Sequence, residues 1–178
     1  MAVAKPFSPV KLICGILFSD HLVFEQAETV LTKNFGRVEK RSASIDFTFT
    51  DYYDKQMGSG LKKKLLSFSE LIDPGGLSRI KLQTNRMEDE IKDFFKSDKR
   101  IVNLDPGTMS ASALVMATVK DFAHRIPLQE GIYGHLELLF TKKGVKILNW
   151  TYPDFRTEEY HRFFIEIRKS YLEQLRQL

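Results

Sequence analysis

The chain has 178 residues, enough for one domain that buries about 70% of the surface its unfolded form exposes. Its 43% hydrophobic and 28% charged residues sit at the globular average, which excludes disordered and fibrous classes. Lys and Arg outnumber Asp and Glu by 27 to 23, with the excess split evenly between the halves, so no basic tail or patch marks a nucleic-acid binder.

Cys14 is the sole cysteine, so neither an internal disulfide nor a cysteine zinc site can form. The longest apolar run, Leu12 to Phe18, is far too short to span a membrane. The N-terminal Met-Ala-Val-Ala-Lys-Pro lacks the pattern of a secretory signal. A soluble cytoplasmic protein without a membrane or nucleic-acid partner is expected.

Residues 10–18 are continuously apolar after Lys11, the pattern of a strand covered on both faces. Ser19 or Asp20 offers an N-cap, and Val23, Ala27, Val30, Leu31 and Phe35 fall on one face of a helix closed by Gly36. Ala43, Ile45, Phe47 and Phe49 alternate with Ser44, Asp46, Thr48 and Thr50, predicting a strand over 43–50 whose polar face meets solvent or a site. Asp51 to Gly60 reads as a loop. Leu61 to Phe68 reads as a further strand, with Lys62-Lys63-Lys64 in its first half. After the breaker Asp73-Pro74-Gly75-Gly76, residues 78–95 take helical spacing, with Ile80, Thr84, Met87, Ile91, Phe94 and Phe95 as the apolar stripe.

Residues 101–104 predict a short strand ended by the turn Asp105-Pro106-Gly107, and 113–119 predict another. Segments 132–141 and 145–152 read as a hairpin about Lys142-Lys143-Gly144. Thr157 with Glu158 and Glu159 opens a last helix, whose buried stripe is Tyr160, Phe164, Ile167, Tyr171 and Leu175. The expected fold is therefore a single α+β domain over 1–178, core about 8–176. It has a ferredoxin-like β-α-β-β-α-β core extended by antiparallel strands and a C-terminal helix. Helices 20–35 and 78–95 should lie on the same face of the sheet.

Nucleotide and nucleophile motifs are absent. No G-x-x-x-x-G-K-[ST] occurs, and no G-x-G-x-x-G follows a strand. Gly58-Ser59-Gly60-Leu61-Lys62 lacks the Ser or Thr after its lysine that would hold Mg²⁺ and a convincing helix behind it, and reads as a flexible turn. Cys14, mid-strand, is a buried inert thiol, and no G-x-S-x-G elbow exists. His135 shares a strand face with Tyr133 and Glu137 and could join His124 in holding a metal. Cross-strand pairing accounts for the same residues, so no metal site and no cofactor is assigned.

A polar constellation gathers at predicted strand ends: Asn103 and Asp105; Lys120, His124 and Arg125; Tyr152, Asp154 and Arg156. Converging strands would unite two carboxylates, several cations and one imidazole. That chemistry suits a small anionic ligand, with Lys120, Arg125, Asp154 and Arg156 binding it and His124 and Asp105 as candidate catalytic groups. The same residues also make good turns, in which Asp–Arg pairs would merely lock loops.

The strings Asn103-Leu-Asp-Pro-Gly107, Lys120-Asp-Phe-Ala-His-Arg-Ile126, Gly131-Ile-Tyr133 and Trp150-Thr-Tyr-Pro-Asp-Phe-Arg156 resemble those of a family of small bacterial proteins, a domain of unknown function. Phe49-Thr-Asp-Tyr-Tyr53, Met57-Gly58 and Ile80-Lys-Leu-Gln-Thr-Asn85 are similar too, so the resemblance spans about residues 7 to 172. It implies no activity. Some members carry a GTP-binding label, which the missing P-loop does not support here, and the family pattern has Glu where this chain has His135. Two functions are thus expected as alternatives: a binder of, or enzyme on, a small phosphorylated or carboxylated molecule, or a non-enzymatic interaction module forming a homo-oligomer through a sheet edge or the last helix.

Overall fold

In the computed structural model, which describes residues 2–178, the elements follow in the order β1 (Val10–Phe18), α1 (His21–Phe35), β2 (Val38–Arg41), β3 (Ile45–Asp46), α2 (Asp54–Met57), β4 (Lys62–Ile72), α3 (Leu77–Phe94), β5 (Val102–Met109), β6 (Ala113–Thr118), β7 (Arg125–Pro127), β8 (Tyr133–Thr141), β9 (Gly144–Ile147) and α4 (Glu158–Leu175). The strands make one antiparallel sheet in the order β2-β4-β1-β5-β6-β8-β7, with β3 on β4 and β9 on β8.

Every residue of β1 is buried because its two faces meet two helical layers. Leu12, Cys14, Ile16 and Phe18 pack against α1 and α3, which share that face. Ile13, with Leu65 and Met109 of the neighbouring strands, packs against Tyr160, Phe164, Ile167 and Tyr171 of α4. Each large apolar side chain so buried contributes roughly 1.5–3 kcal/mol. Local signals agree with this arrangement. Asp20 caps α1 by accepting from Leu22 N at 2.8 Å, and the Thr157 hydroxyl caps α4. The result is an α+β domain with a large antiparallel sheet and a C-terminal helix.

Several expectations need correction. The strand predicted over 43–50 is reduced to Ile45–Asp46, and residues 47–53 leave the sheet with Phe47 and Phe49 turned toward a cavity. Val38–Arg41 is instead a strand, hidden in the sequence by its three consecutive charged residues; Glu39 lies 3.1 Å from the buried Lys11 ammonium. Phe94 ends α3 exposed, while Lys81 occupies the buried stripe. β7 falls between the strands expected at 113–119 and 132–141, where no element was expected. Residues 148–152 leave the hairpin, whose second strand ends at Ile147.

The most consequential correction is at Asp105-Pro106-Gly107, which is no turn: β5 runs straight through it to Met109. Leu104 aims its backbone polar groups away from β1, toward side chains of α3, and Pro106, two residues on, shares that orientation. Its missing N–H therefore costs the β1 ladder nothing. Gly107 pairs with Met116, and a Cβ there would collide with Met116 Sδ and stand 2.8 Å from Val115 O. The two residues that mimic a turn signal serve instead to bring β5 against β6.

Candidate functional site

β5 and β6 pair only through Gly107–Met109 and Leu114–Met116; from Pro106 back to Val102 the strands diverge. α3 fills part of that opening. Glu88 Oε1 accepts from Leu104 N at 2.7 Å and Lys81 Nζ donates to Leu104 O at 2.8 Å, so two side chains replace the missing strand neighbour. The rest of the opening is a cavity of about 650 Å³, within the range of small-molecule sites.

Its floor is a run of ion pairs. Lys63 of β4 holds Asp154 at 2.6 Å, with both side chains buried. Lys81 lies 3.3 Å from Asp105, which also accepts from Asn103 Nδ2 at 2.6 Å. Arg100 holds Glu88 at 2.7 Å and also donates to the Asn103 side-chain oxygen. Gly15, at the centre of β1, makes room for this run: a Cβ there would lie 3.2 Å from Lys63 Cε and 3.7 Å from Asp105 O.

Protonation follows from these contacts. Burial pushes the Lys63 ammonium toward neutrality, but Asp154 and Asp105 outweigh it and raise its pKa. Burial likewise works against the Asp105 carboxylate, and Lys81, Lys63 and Asn103 together hold its pKa below the ordinary 3.8. At Glu88 burial wins over Arg100 and Lys81, and the pKa is raised above the ordinary 4.5. These shifts act on stability with opposite signs. Asp105 stabilises the fold above its unfolded value, and that contribution is lost as pH falls through its lowered folded value. Glu88 costs stability when ionised, and the cost is relieved as pH falls through its raised value toward 4.5. In urea unfolding midpoints measured against pH, Glu88→Gln is expected to remove a rise in stability on going down toward pH 4.5, and Asp105→Asn to flatten the loss below pH 3.8. Unchanged profiles in both variants would refute the assignment.

One wall is aromatic. Phe47, Phe49, Tyr52 and Tyr53 come from a single stretch and meet edge to face, with centroids 5.7 Å apart for Phe47–Phe49 and 5.0 Å for Tyr52–Tyr53. Burial raises the pKa of the Tyr53 phenol, which stays neutral. Across the cavity stand Tyr152 and Phe155, and Lys63 lies over the Phe155 ring at 4.7 Å.

The mouth carries different charges. Lys120 stands over Tyr52 with its Nζ 3.6 Å from the ring centroid. Arg125 donates to the Lys120 carbonyl at 2.7 Å, to Tyr152 Oη at 2.6 Å and to His135 Nδ1 at 3.2 Å. An arginine Nε always donates, so His135 Nδ1 accepts and a neutral His135 carries its proton on Nε2. That nitrogen lies 3.0 Å from Glu137 Oε2, but the pair is poorly aligned and neither atom gains a well-formed hydrogen bond. The other Glu137 oxygen accepts from Tyr152 N at 2.6 Å.

Of the residues singled out from sequence, Asn103, Asp105, Lys120, Tyr152 and Asp154 line the cavity, as does His135. Arg125 and His124 stand behind its rim. The His124 ring stacks on Trp150 at 4.9 Å and its Nε2 lies 3.3 Å from His135 Nδ1. Desolvation first, then His135 and Arg125, lower the His124 pKa. Arg156 is not part of the group: it donates to Thr151 O at 2.9 Å and Asn149 O at 3.1 Å and locks the turn before α4. Among the described residues, no three His, Cys, Asp or Glu side chains are placed to hold a metal ion.

Lys63, Lys81, Glu88 and Arg100 were missed as site residues. Two of them had a signal. Lys63 falls between Leu61 and Leu65 in a strand, and Lys81 between Leu77 and Thr84 on a helical stripe, so each puts a charge where the period demands an apolar side chain.

The model of a domain of unknown function (DUF4416) matches residues 8–171, and the chain belongs to that family. No curated protein and no solved structure gives a significant match to it. Among the described residues, no helix is long and apolar enough to cross a membrane.

Proposed function

We propose that this DUF4416 member binds a small anionic molecule, phosphorylated or carboxylated, at the cavity between β5 and β6. One observation carries the reading. Lys63, Lys81 and Arg100 each have a carboxylate partner, whereas among the described residues Lys120 and Arg125 have none. Arg125, just behind the rim, donates to the Lys120 backbone carbonyl and so holds the segment that carries Lys120 at the mouth. An anion there meets positive charge without displacing any carboxylate of the chain. Because Lys120 is exposed, its loss should spare the fold.

The test is calorimetric titration with inorganic phosphate, glycerol phosphate, a dicarboxylate and a neutral sugar. Anion binding is expected to weaken at least tenfold in Lys120→Met with the unfolding midpoint unchanged, and the sugar should not bind. Equal affinity in wild type and variant would refute the proposal. For the fold itself, we read β1-α1-β2-β4-α3-β5 as a ferredoxin-like unit, since its strand order β2-β4-β1-β5 is that of a split β-α-β pair with both helices on one face.

A second reading has its own support. β7 lies at the outer edge of the sheet, with Ile126 66% and Phe122 62% exposed. Large apolar side chains beside an open edge suit association with another copy of the chain. Sedimentation of wild type against Ile126→Lys decides it, and a concentration-independent monomer in wild type would end that reading.

A further inference from the structure

We infer that the ligand is a flat heteroaromatic compound bearing one anionic group at its end. This rests on the proposed anion site at Lys120 and adds the chemistry of the rest of the molecule.

Three features of the cavity converge on it. The floor is already neutralised within the chain, since Lys63, Lys81 and Arg100 are matched by Asp154, Asp105 and Glu88. A second anionic group there would face three carboxylates, so the ligand's charge belongs at the mouth and the part over the floor is uncharged. That floor nevertheless presents both ammonium and guanidinium donors and carboxylate acceptors. An uncharged body rewarded by it carries donors and acceptors on its own rim, as a nitrogen heterocycle does and an alkyl chain does not.

The wall supplies the second feature. Phe47, Phe49, Tyr52 and Tyr53 are tilted against one another by 67–86° where they pair, so none is stacked face to face with another. Phe49 and Tyr52 remain 37% and 51% exposed although they line a cavity. One face of Tyr52 carries the Lys120 ammonium, so the Phe49 ring and the rest of the wall are what gain most from a flat aromatic surface laid along them.

Third is the relation between wall and charge. Lys120 Nζ stands 3.6 Å from the Tyr52 ring centroid, so the anion-binding group sits on the aromatic wall itself. A ring lying along the wall with its anionic substituent directed outward satisfies both at once. The cavity of about 650 Å³ has room for such a body, far beyond what a bare phosphate or carboxylate occupies.

Isothermal titration of the intact chain with inorganic phosphate, glycerol phosphate, phenyl phosphate, a pyridine carboxylate and nucleoside monophosphates tests this. Heteroaromatic anions are expected to bind at least tenfold more tightly than glycerol phosphate. Phe49→Ala should erase that margin, because its ring is exposed and carries no cation, while leaving the affinity for inorganic phosphate unchanged. Phenyl phosphate should fall between the two, having the flat face without the polar rim. If glycerol phosphate binds as tightly as the heteroaromatic anions, the ring is refuted and the anion site at Lys120 stands. If Phe49→Ala leaves the margin intact, the aromatic wall is not what selects the ligand and the inference fails. If no anion binds, both readings fall together.

Discussion

Asp154→Ala is expected to destabilise the free protein by about 3–5 kcal/mol, the usual cost of leaving one member of a buried ion pair alone. Asp154 is 2% and Lys63 6% exposed, so water cannot take over from the lost carboxylate. The two residues lie 91 positions apart, and their 2.6 Å contact ties β4 to the 3-10 turn that leads into α4. Loss of the pair should therefore loosen α4 as well as the cavity floor. At roughly 2–4 °C per kcal/mol for a chain of this size, Tm should fall by about 6–20 °C. The double variant Lys63→Met, Asp154→Leu should recover most of that loss, because no charge is then stranded. A single-variant loss under about 1 kcal/mol, a value ordinary for exposed pairs, would show that the pair is solvated. The same experiment explains why Asp154 is a poor probe of binding: its effect on the fold would mask any effect on a ligand.

Lys81→Met should cost about 1–3 kcal/mol from the Leu104 carbonyl alone, since that acceptor faces the split in the sheet and loses its donor. Asp105 adds to the loss, because it then relies on Lys63 and Asn103 to remain ionised. Methionine retains the length of the lysine stem, so packing of α3 changes little and the loss reports on charge and hydrogen bonding. Chemical denaturation at pH 7 measures the total. Lowering the pH through the depressed folded value of Asp105 should shrink the difference, since the carboxyl once protonated no longer needs the ammonium. A difference that stays constant with pH would exclude Asp105 and leave the Leu104 hydrogen bond and packing as its source.

Much of the fold was legible because it depends on local rules. The apolar run of β1, the cap at Asp20, the 3.6-residue stripe of α1 and the Thr157 start of α4 each have a mechanism that acts within one element. What was hidden depends on partners distant in sequence. Lys11 and Lys63 are buried lysines in strands, tolerable because Glu39, Gln174 and Asp154 arrive from elsewhere. Asp105-Pro106-Gly107 has the residues of a turn, yet its neighbours turn those same residues into strand. The alternation of 43–50 was real but described side-chain direction rather than pairing: Phe47 and Phe49 face the cavity without a complete ladder beneath them. For the site, sequence picked out Asp105, Lys120 and Asp154 at expected strand ends, although Asp105 lies inside β5. It did not find Lys63, at the start of β4, or Lys81 and Glu88, within α3, because charges inside strand and helix patterns read as solvated faces.

The side chains that α3 places on β5 have one more effect. A strand that parts from its neighbour leaves an open row of backbone donors and acceptors, and such a row invites any extended peptide to zip onto it. Here the row is already spoken for. The Val102 carbonyl accepts from Arg100 Nε at 3.1 Å, the Leu104 N–H and carbonyl are held by Glu88 and Lys81, and Pro106 offers no N–H. A foreign strand entering the gap would have to break charge-assisted hydrogen bonds before making any of its own. The interior edge is thus closed to β-augmentation, and addition of chain to this sheet is left to its outer borders, β2 and β3 on one side and β7 and β9 on the other. What the gap can still admit is a small solute that leaves the backbone partners in place.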